Sequence, residues 1–314
     1  MILLTGGSGF IGSNLLSELN KAGINDAIIV DNINSIEKSA NLNGLNYSFS
    51  INKYNFWSWI VREQPKISLI IHLGACTDTT ELNKQYLKEN NIEYSKRLFK
   101  IATIENIPFI YASSAATYGS GINSFSDLHS KLNKLEPLSE YGRSKHAFDK
   151  WLLTQKEKPS YWIGLKFFNV YGPNEEHKKN MASAVFKFID QARQDSLIKI
   201  FKGSHGYNNG EQERDFIFVD DVIKVIMWFS FNKGKNGIYN VGTGTTTTFN
   251  RIAKCITKEK KDVSILYIDF PNHLYDMYQA YTKADIKKLQ NSGYKDNFIS
   301  IDQGIKKMIE IYFD

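Results

Sequence analysis

The stretch "ILLTGGSGFIGSNLLSELNKAG", residues 2–23, decides how the chain is read. Its first four residues are an uninterrupted apolar run, the pattern of a central parallel strand buried on both faces. Glycines fall at 6, 9 and 12, and apolar residues at 11, 15, 16 and 19 repeat with helical period. A strand that turns on glycine into a helix offers free N–H groups and the positive end of the helix dipole to an anion. The glycines have separate tasks: a tight turn, close approach of backbone to a pyrophosphate, and close packing of helix on strand. Alone, the pattern also fits any strand–turn–helix joint. A second apolar run, "AIIVDN" (27–32), ends in Asp31 about 20 residues further on, where a carboxylate meets an adenine ribose. Together the two runs predict a dinucleotide site.

Further along, "ISLIIHLGA" (67–75) and "IPFIYASS" (107–114) read as two more strands, separated by an amphipathic stretch over 81–105. Strands alternating with helical segments predict an α/β chain built on a doubly wound parallel sheet. Ligands gather at the carboxyl ends of such strands. Residues 72–77, Ser113 and Ser114 therefore fall on the ligand edge.

The whole composition sets bounds. At 314 residues the chain can bury a sizeable core, and 42% hydrophobic with 23% charged residues is ordinary for a globular protein. The net charge of +6 comes from scattered lysines without a basic block, which counts against nucleic acid. Cys76 and Cys255 are the only cysteines, and no histidine or cysteine lies at ligand spacing, so no metal site is expected. Lone thiols, no basic leader before "MILLTGG" and no apolar run near the ~20 residues of a membrane span lead to the expectation of a cytoplasmic protein.

"YGRSK" (141–145) opens a helical stretch to about Gln155, and four-residue spacing puts Tyr141 and Lys145 on one face. A lysine held near a phenol favours its anion, so the expectation is a Tyr141 pKa lowered by Lys145. Such a phenol moves a proton while a nicotinamide takes a hydride. Ser114, at a strand end, can hydrogen-bond the same reacting oxygen. The spacing alone arises by chance on many helix surfaces; behind a complete nucleotide half it gains weight.

Gly6, Gly9, Gly12, Ser114, Tyr141, Lys145 and the stretch "NNIEYSKRL" (90–98) resemble the marks of the extended short-chain dehydrogenase/reductases. More narrowly, "YASSAATYG" (111–119), "FFNVYGPNEEHKKNMAS" (167–183), "RDFIFVDDV" (214–222) and "YQAYT" (278–282) are similar to the ADP-L-glycero-D-manno-heptose 6-epimerases. That resemblance implies oxidation of the sugar at C6″ to a ketone with NADP, reorientation, and return of the same hydride to the other face. The oxygen sits differently in the two half-reactions, so Tyr141 serves one orientation and a second acid/base serves the other. The match places that second group on Lys178. A lysine can play the part if burial or neighbouring cations such as Lys179 lower its pKa. Outside such a resemblance, "EEHKK" (175–179) reads as a solvated charged turn. His177 is assigned no proton transfer.

The implied cofactor set is Gly6, Gly9, Phe10, Ile11, Gly12, Asp31, Asn32, Lys38, Lys53, Leu73, Gly74, Ala75, Cys76, Thr77, Asn90, Tyr141, Lys145 and Val170. The implied substrate set is Ser114, Asn169, Lys178, Asn180, Lys187, Phe201, Lys202, Gly203, Ser204, Arg214 and Tyr278. Asp31 repels a 2′-phosphate and points to NAD, whereas Lys38 and Lys53 match the family's cofactor lysines; NADP is expected, with NAD the alternative. Asn180 and Lys187 stand where the family pattern has serine and histidine, and "HGYNNGEQE" (205–213) is longer than the pattern.

The rival reading is another nucleotide-sugar epimerase or dehydratase of the superfamily. Dehydratases carry an Asp-Glu pair just after the catalytic strand, where this chain has Ala115 and Ala116. A non-catalytic redox sensor is the rival from another class, and the retained tyrosine–lysine pair argues against it. The expected division is a dinucleotide unit over 1–170, joined by 214–245, and a smaller mixed α/β substrate unit over 171–213 and 246–314. The resemblance also implies a homo-oligomer, with a pentamer as the candidate size.

Overall fold

The computed structural model describes residues 1–32, 36–232 and 234–313. Its main sheet is built from β1 (Ile2–Thr5), β2 (Ala27–Asp31), β3 (Phe49–Asn52), β4 (Leu69–His72), β5 (Phe109–Ser114) and β6 (Trp162–Phe167). After β7 (Asn169–Tyr171), β8 (Leu197–Phe201), β9 (Glu213–Arg214) and β10 (Phe216–Phe218), the chain returns to that sheet with β11 (Gly237–Val241). The order β11-β6-β5-β4-β1-β2-β3 is parallel throughout. The α/β doubly wound expectation holds.

The apolar runs become central strands because they are covered on both faces. Leu4 and Ile29 face a core formed with the helices Phe10–Lys21 and Val219–Asn232. Leu3 and Ile28 face the other core, formed with Phe56–Glu63, Tyr94–Ile104 and Glu140–Thr154. The strands are shorter than the apolar runs: β4 stops at His72, and residues 73–77 leave the ladder to form the rim. The stretch 81–105 is also not one helix. It runs Lys84–Leu87, a π-helical turn Lys88–Glu93, then Tyr94–Ile104. Asn91, in that turn, accepts from the Cys76 N–H (2.8 Å) and donates to the Cys76 carbonyl (3.0 Å) and Ser144 Oγ (2.9 Å). Long-range bonds to one side chain set the wide turn, a feature frequent at functional sites.

A second core lies beside this body. The helices Ala184–Asp195, Phe249–Glu259 and Ile301–Phe313 pack Val185, Ile252 and Met308 with Ile198 of β8. Two short strands complete it: β12 (Thr247–Thr248), antiparallel to β9, and β13 (Ser264–Ile268), parallel to β8. Strand β10 pairs with β7, not with the main sheet, and stands at the seam. Its Ile217 enters the first core, while Phe216 and Phe218 enter the second. Among the described residues no helix is long and apolar enough to cross a membrane.

Candidate active site

The glycine turn joins β1 to its helix with little room. Gly6 has φ +72°, and a Cβ there would lie 2.7 Å from the Gly74 nitrogen. A Cβ on Gly12 would lie 2.1 Å from the Gly6 carbonyl oxygen, so helix and turn touch backbone to backbone. At the end of β2, buried Asp31 accepts from Ser8 N (3.1 Å) and Ser8 Oγ (2.7 Å) through Oδ2. Its Oδ1 accepts from Asn32 N (2.7 Å) and Lys38 Nζ (3.0 Å). Among the described residues the neighbouring Asn32 Oδ1 is buried without a partner. Gly6, Gly9, Phe10, Ile11, Gly12, Asp31, Lys38, residues 73–77 and Val170 line one cleft of about 650 Å³. Asn32, Lys53 and Asn90 stand outside that lining, and Lys53 Nζ donates to Asn90 Oδ1 at 2.7 Å.

The same cleft takes Ser114, Tyr141 and Lys145. Ser139 caps the helix Glu140–Thr154 by accepting from Gly142 N (3.1 Å), which sets Tyr141 in its first turn. Burial pushes the Tyr141 phenol up to about 12, and a hydrogen bond with Ser114 works the other way. Burial also pulls the Lys145 ammonium down to about 8, opposed by Asp149. The expectation that Lys145 lowers the phenol therefore fails for the chain alone. Burial is the larger effect, and Lys145 is already neutral at the pH where the phenol titrates. At neutral pH the ammonium is still charged, and it makes no hydrogen bond or ion pair among the described residues.

One turn beyond Lys145, Asp149 is fully buried. It accepts from Tyr111 OH (2.9 Å), Ser113 Oγ (2.7 Å) and Lys166 Nζ (2.7 Å), and Lys166 also donates to Thr117 Oγ1 (2.6 Å). This network braces the helix Glu140–Thr154 against β5 and β6. Sequence reasoning passed over it, although Tyr141, Lys145 and Asp149 repeat every fourth residue on one face. His72 does not reach the cleft. It is held down to about 3, first by burial and then by Lys145, and lies between Thr5 Oγ1 (2.6 Å) and Ser95 Oγ (2.8 Å).

Lys178 enters the same cleft from a 3₁₀ turn, Glu176–Met181. Its ammonium lies 2.9 Å from Glu175 Oε2 and 4.9 Å from the centre of the Phe10 ring. Glu175 is fully buried and also accepts from Gly172 N (3.2 Å), Ser183 N (2.7 Å) and Ser183 Oγ (2.7 Å). Lys179 does not supply the expected cationic neighbour. It is 77% exposed and turns to Glu37 at 3.8 Å, so a carboxylate holds Lys178 instead. The glutamate was unrecognised in the sequence, where the E-x-x-K spacing of 175–178 was its one local sign. Lys187 donates to the Asn180 carbonyl (2.7 Å), and its pKa is lowered by burial and then by Lys178.

A second cleft of about 980 Å³ shares Thr77, Ala116, Met181, Arg214 and Gln279 with the first. Asn180, Lys187, Phe201, Arg214 and Tyr278 line it. The Arg214 guanidinium lies over the Tyr278 ring (4.6 Å), donates to Asn169 Oδ1 (3.3 Å) and leaves a buried Nε without a partner among the described residues. Lys202, Gly203 and Ser204 lie outside both linings. Lys202 pairs with Asp269 (2.7 Å), Gly203 N donates to Asn209 Oδ1 (2.9 Å), and Ser204 Oγ accepts from Gln212 (3.0 Å). Gln279 went unassigned in the sequence. It donates to the carbonyls of Ala115 (3.2 Å) and Gly119 (2.7 Å), tying the segment that holds Tyr278 to the exit of β5.

Residues 2–242 match the model of the NAD dependent epimerase/dehydratase family. An ADP-L-glycero-D-manno-heptose-6-epimerase of Fusobacterium nucleatum is 40% identical over 99% of this chain and 98% of its own length. One of Alkalilimnicola ehrlichii is 42% identical over 100% of this chain and 98% of its own. A crystal structure of the Helicobacter pylori ADP-L-glycero-D-manno-heptose-6-epimerase superposes with a TM-score of 0.85 at 28% identity, covering 99% of this chain and 96% of that one. With a family match over most of its length and such full-length relatives, the chain belongs to the NAD dependent epimerase/dehydratase family.

Proposed function

We propose that the protein inverts C6″ of ADP-D-glycero-β-D-manno-heptose to give the ADP-L-glycero-β-D-manno form, a precursor of the lipopolysaccharide inner core. The observation that carries this reading is that two proton-carrying side chains, Tyr141 and Lys178, enter one cleft from separate elements. That cleft is also bounded by the glycine turn and by Asp31. A single oxidation needs one acid/base; inversion through a ketone that turns in the site makes use of two. The near-full-length relatives named for this reaction support the substrate.

The residues present fit a nicotinamide dinucleotide. The turn at Gly6 admits no side chain, while among the described residues the buried Asn32 Oδ1 has no hydrogen-bond partner and the Lys145 ammonium makes no hydrogen bond or ion pair. Gly9, Phe10, Ile11, residues 73–77, Val170 and Lys145 would hold the cofactor, which when bound supplies the hydride acceptor and donor. Asp31 has both oxygens occupied, one of them by Lys38, and this favours NADP: the charge that would repel a 2′-phosphate is already met by an ammonium. In the chemical step Tyr141, as its phenolate, takes the C6″ hydroxyl proton in one orientation and, as the phenol so formed, returns it in the reverse direction. The Lys145 charge favours the transient phenolate, and Ser114 donates to the reacting oxygen. Lys178 exchanges the proton when the oxygen lies the other way, and Glu175 fixes its ammonium at that wall. Arg214 would bind the diphosphate through its planar fork.

The proposal extends to a dinucleotide unit over 1–170 with 214–245, a substrate unit over 171–213 and 246–314, a cytoplasmic location and a homo-oligomer, with a pentamer the candidate. Incubation of the purified protein with ADP-D-glycero-β-D-manno-heptose, followed by NMR at C6″ without added cofactor, tests the reaction. The inverted sugar is expected. A stable keto or deoxy product would move the protein to another branch of its family.

A further inference from the structure

The turn that carries Lys178 is stitched to the nucleotide-binding body at several points. The Pro173 carbonyl accepts from Asn14 Nδ2 (3.0 Å), and Asn174 Nδ2 donates to Ser13 Oγ (3.3 Å). At His177, next to Lys178, Nδ1 faces Asn41 Nδ2 at 3.1 Å. The same Asn41 nitrogen donates to the Ser8 carbonyl at 3.1 Å, and Ser8 in turn donates to Asp31. A carboxamide nitrogen has two N–H donors, and here one goes to Ser8 and the other to His177. His177 Nδ1 must therefore accept, which requires the neutral ring with its proton on Nε2.

We propose that His177 and Asn41 are positioning residues: their hydrogen bond latches the Lys178 turn onto the glycine turn, and protonation of His177 opens it. What the latch does for catalysis rests on the epimerase reading; the latch itself does not. Charged groups face the ring from every side. Lys178 and Glu176 come from its own turn, Lys38 from the helix Ile36–Ala40, and Asp31 from the end of β2. Lys179 pairs with Glu37 of that same helix (3.8 Å), and Glu176 is held by Tyr312 OH (2.7 Å) from the C-terminal helix.

Burial, then Lys38 and Lys178, hold the imidazole below its ordinary value, with Asp31 and Glu176 opposing. The sign follows from the lowered pKa. Closure is fully favoured above the ordinary histidine range and is lost as the pH falls through the lowered value. A proton on Nδ1 would then set a donor against the Asn41 donor. The latch thus joins the Asp31 end of the cofactor cleft to the turn of the second acid/base.

Hydrogen–deuterium exchange of the intact chain, read on a peptide covering 176–182 as protection relative to intrinsic rates, tests this with and without NADP. At pH 7.5, Asn41→Leu and His177→Leu should each lower protection about tenfold, the worth of one hydrogen bond. The double variant should be no worse than Asn41→Leu alone, because that change already removes the bond to His177. Lowering the pH toward about 5 should begin to deprotect the native turn, because the loss sets in below the ordinary histidine range. His177→Asn, which offers an amide acceptor near the Nδ1 position and does not titrate there, should keep its protection at both pH values. In turnover, the leucine variants should lose kcat while KM for the ADP-heptose stays nearly constant. Unchanged protection in both leucine variants, or strictly additive losses in the double variant, would overturn the latch. A native protein that shows this pattern of exchange but does not turn over the ADP-heptose would sink the epimerase reading and leave the latch standing.

Discussion

Tyr141 and Lys178 sit in different surroundings. The tyrosine is buried beside Ser114 and Lys145, and its phenol is pushed up to about 12. The lysine is one-fifth exposed and bonded to a buried carboxylate. Removing either group should lower kcat by about 10²–10⁴-fold, the usual worth of a positioned acid/base, with cofactor affinity retained. Tyr141→Phe and Lys178→Met, each measured by turnover and by NADP titration, check this; Lys179→Met is the control that should stay active. A pH dependence follows from Lys145, whose proton leaves near 8. As pH rises through that value the charge favouring the phenolate disappears, so kcat/KM should fall there. Lys145→Arg should remove that limb of the profile, because arginine stays charged. Glu175→Ala leaves Lys178 and both Ser183 donors without their acceptor. It should cost about 1–3 kcal/mol in urea unfolding and depress kcat together with stability.

Among the elements, the strand, glycine turn and helix of 2–21 were legible because their pattern is local. Apolar period and glycine spacing both sit within one window, and the Gly12 contact explains why the third glycine is needed. Gly12→Ala should force helix and turn apart, with lost NADP binding and a lower Tm in calorimetry. The helix Glu140–Thr154 was legible for the same reason. What escaped depends on partners distant in sequence. The π-helical turn exists because Asn91 bonds Cys76 and Ser144, which no window around 88–93 contains. Glu175 was hidden because a charge run reads as solvated, and its burial comes from Gly172 and Ser183 folding over it. The buried Asp149–Lys166 pair joins a helix to a strand, and neither residue's neighbours announce the other. Asp149→Ala should leave Lys166 as an uncompensated buried charge and destabilise the protein by about 3–5 kcal/mol in denaturant titration.

At the scale of the whole molecule, two cores meet along β10, and the two clefts open on each other beside that seam. Arg214, just before β10, lines both clefts, which places its guanidinium where the two spaces join. The doubly wound half was foreseen from alternating runs, whereas the pairing of β10 with β7 was not, since three-residue strands carry too little pattern. The central claim is that one hydride leaves C6″ and returns to the same carbon on its other face. The most direct measurement uses ADP-D-glycero-β-D-manno-heptose deuterated at C6″, in ordinary water, with product analysed by NMR. The account predicts L-glycero product that keeps its deuterium at C6″. Inverted product with the label washed out to solvent, or no inversion at all, would contradict it.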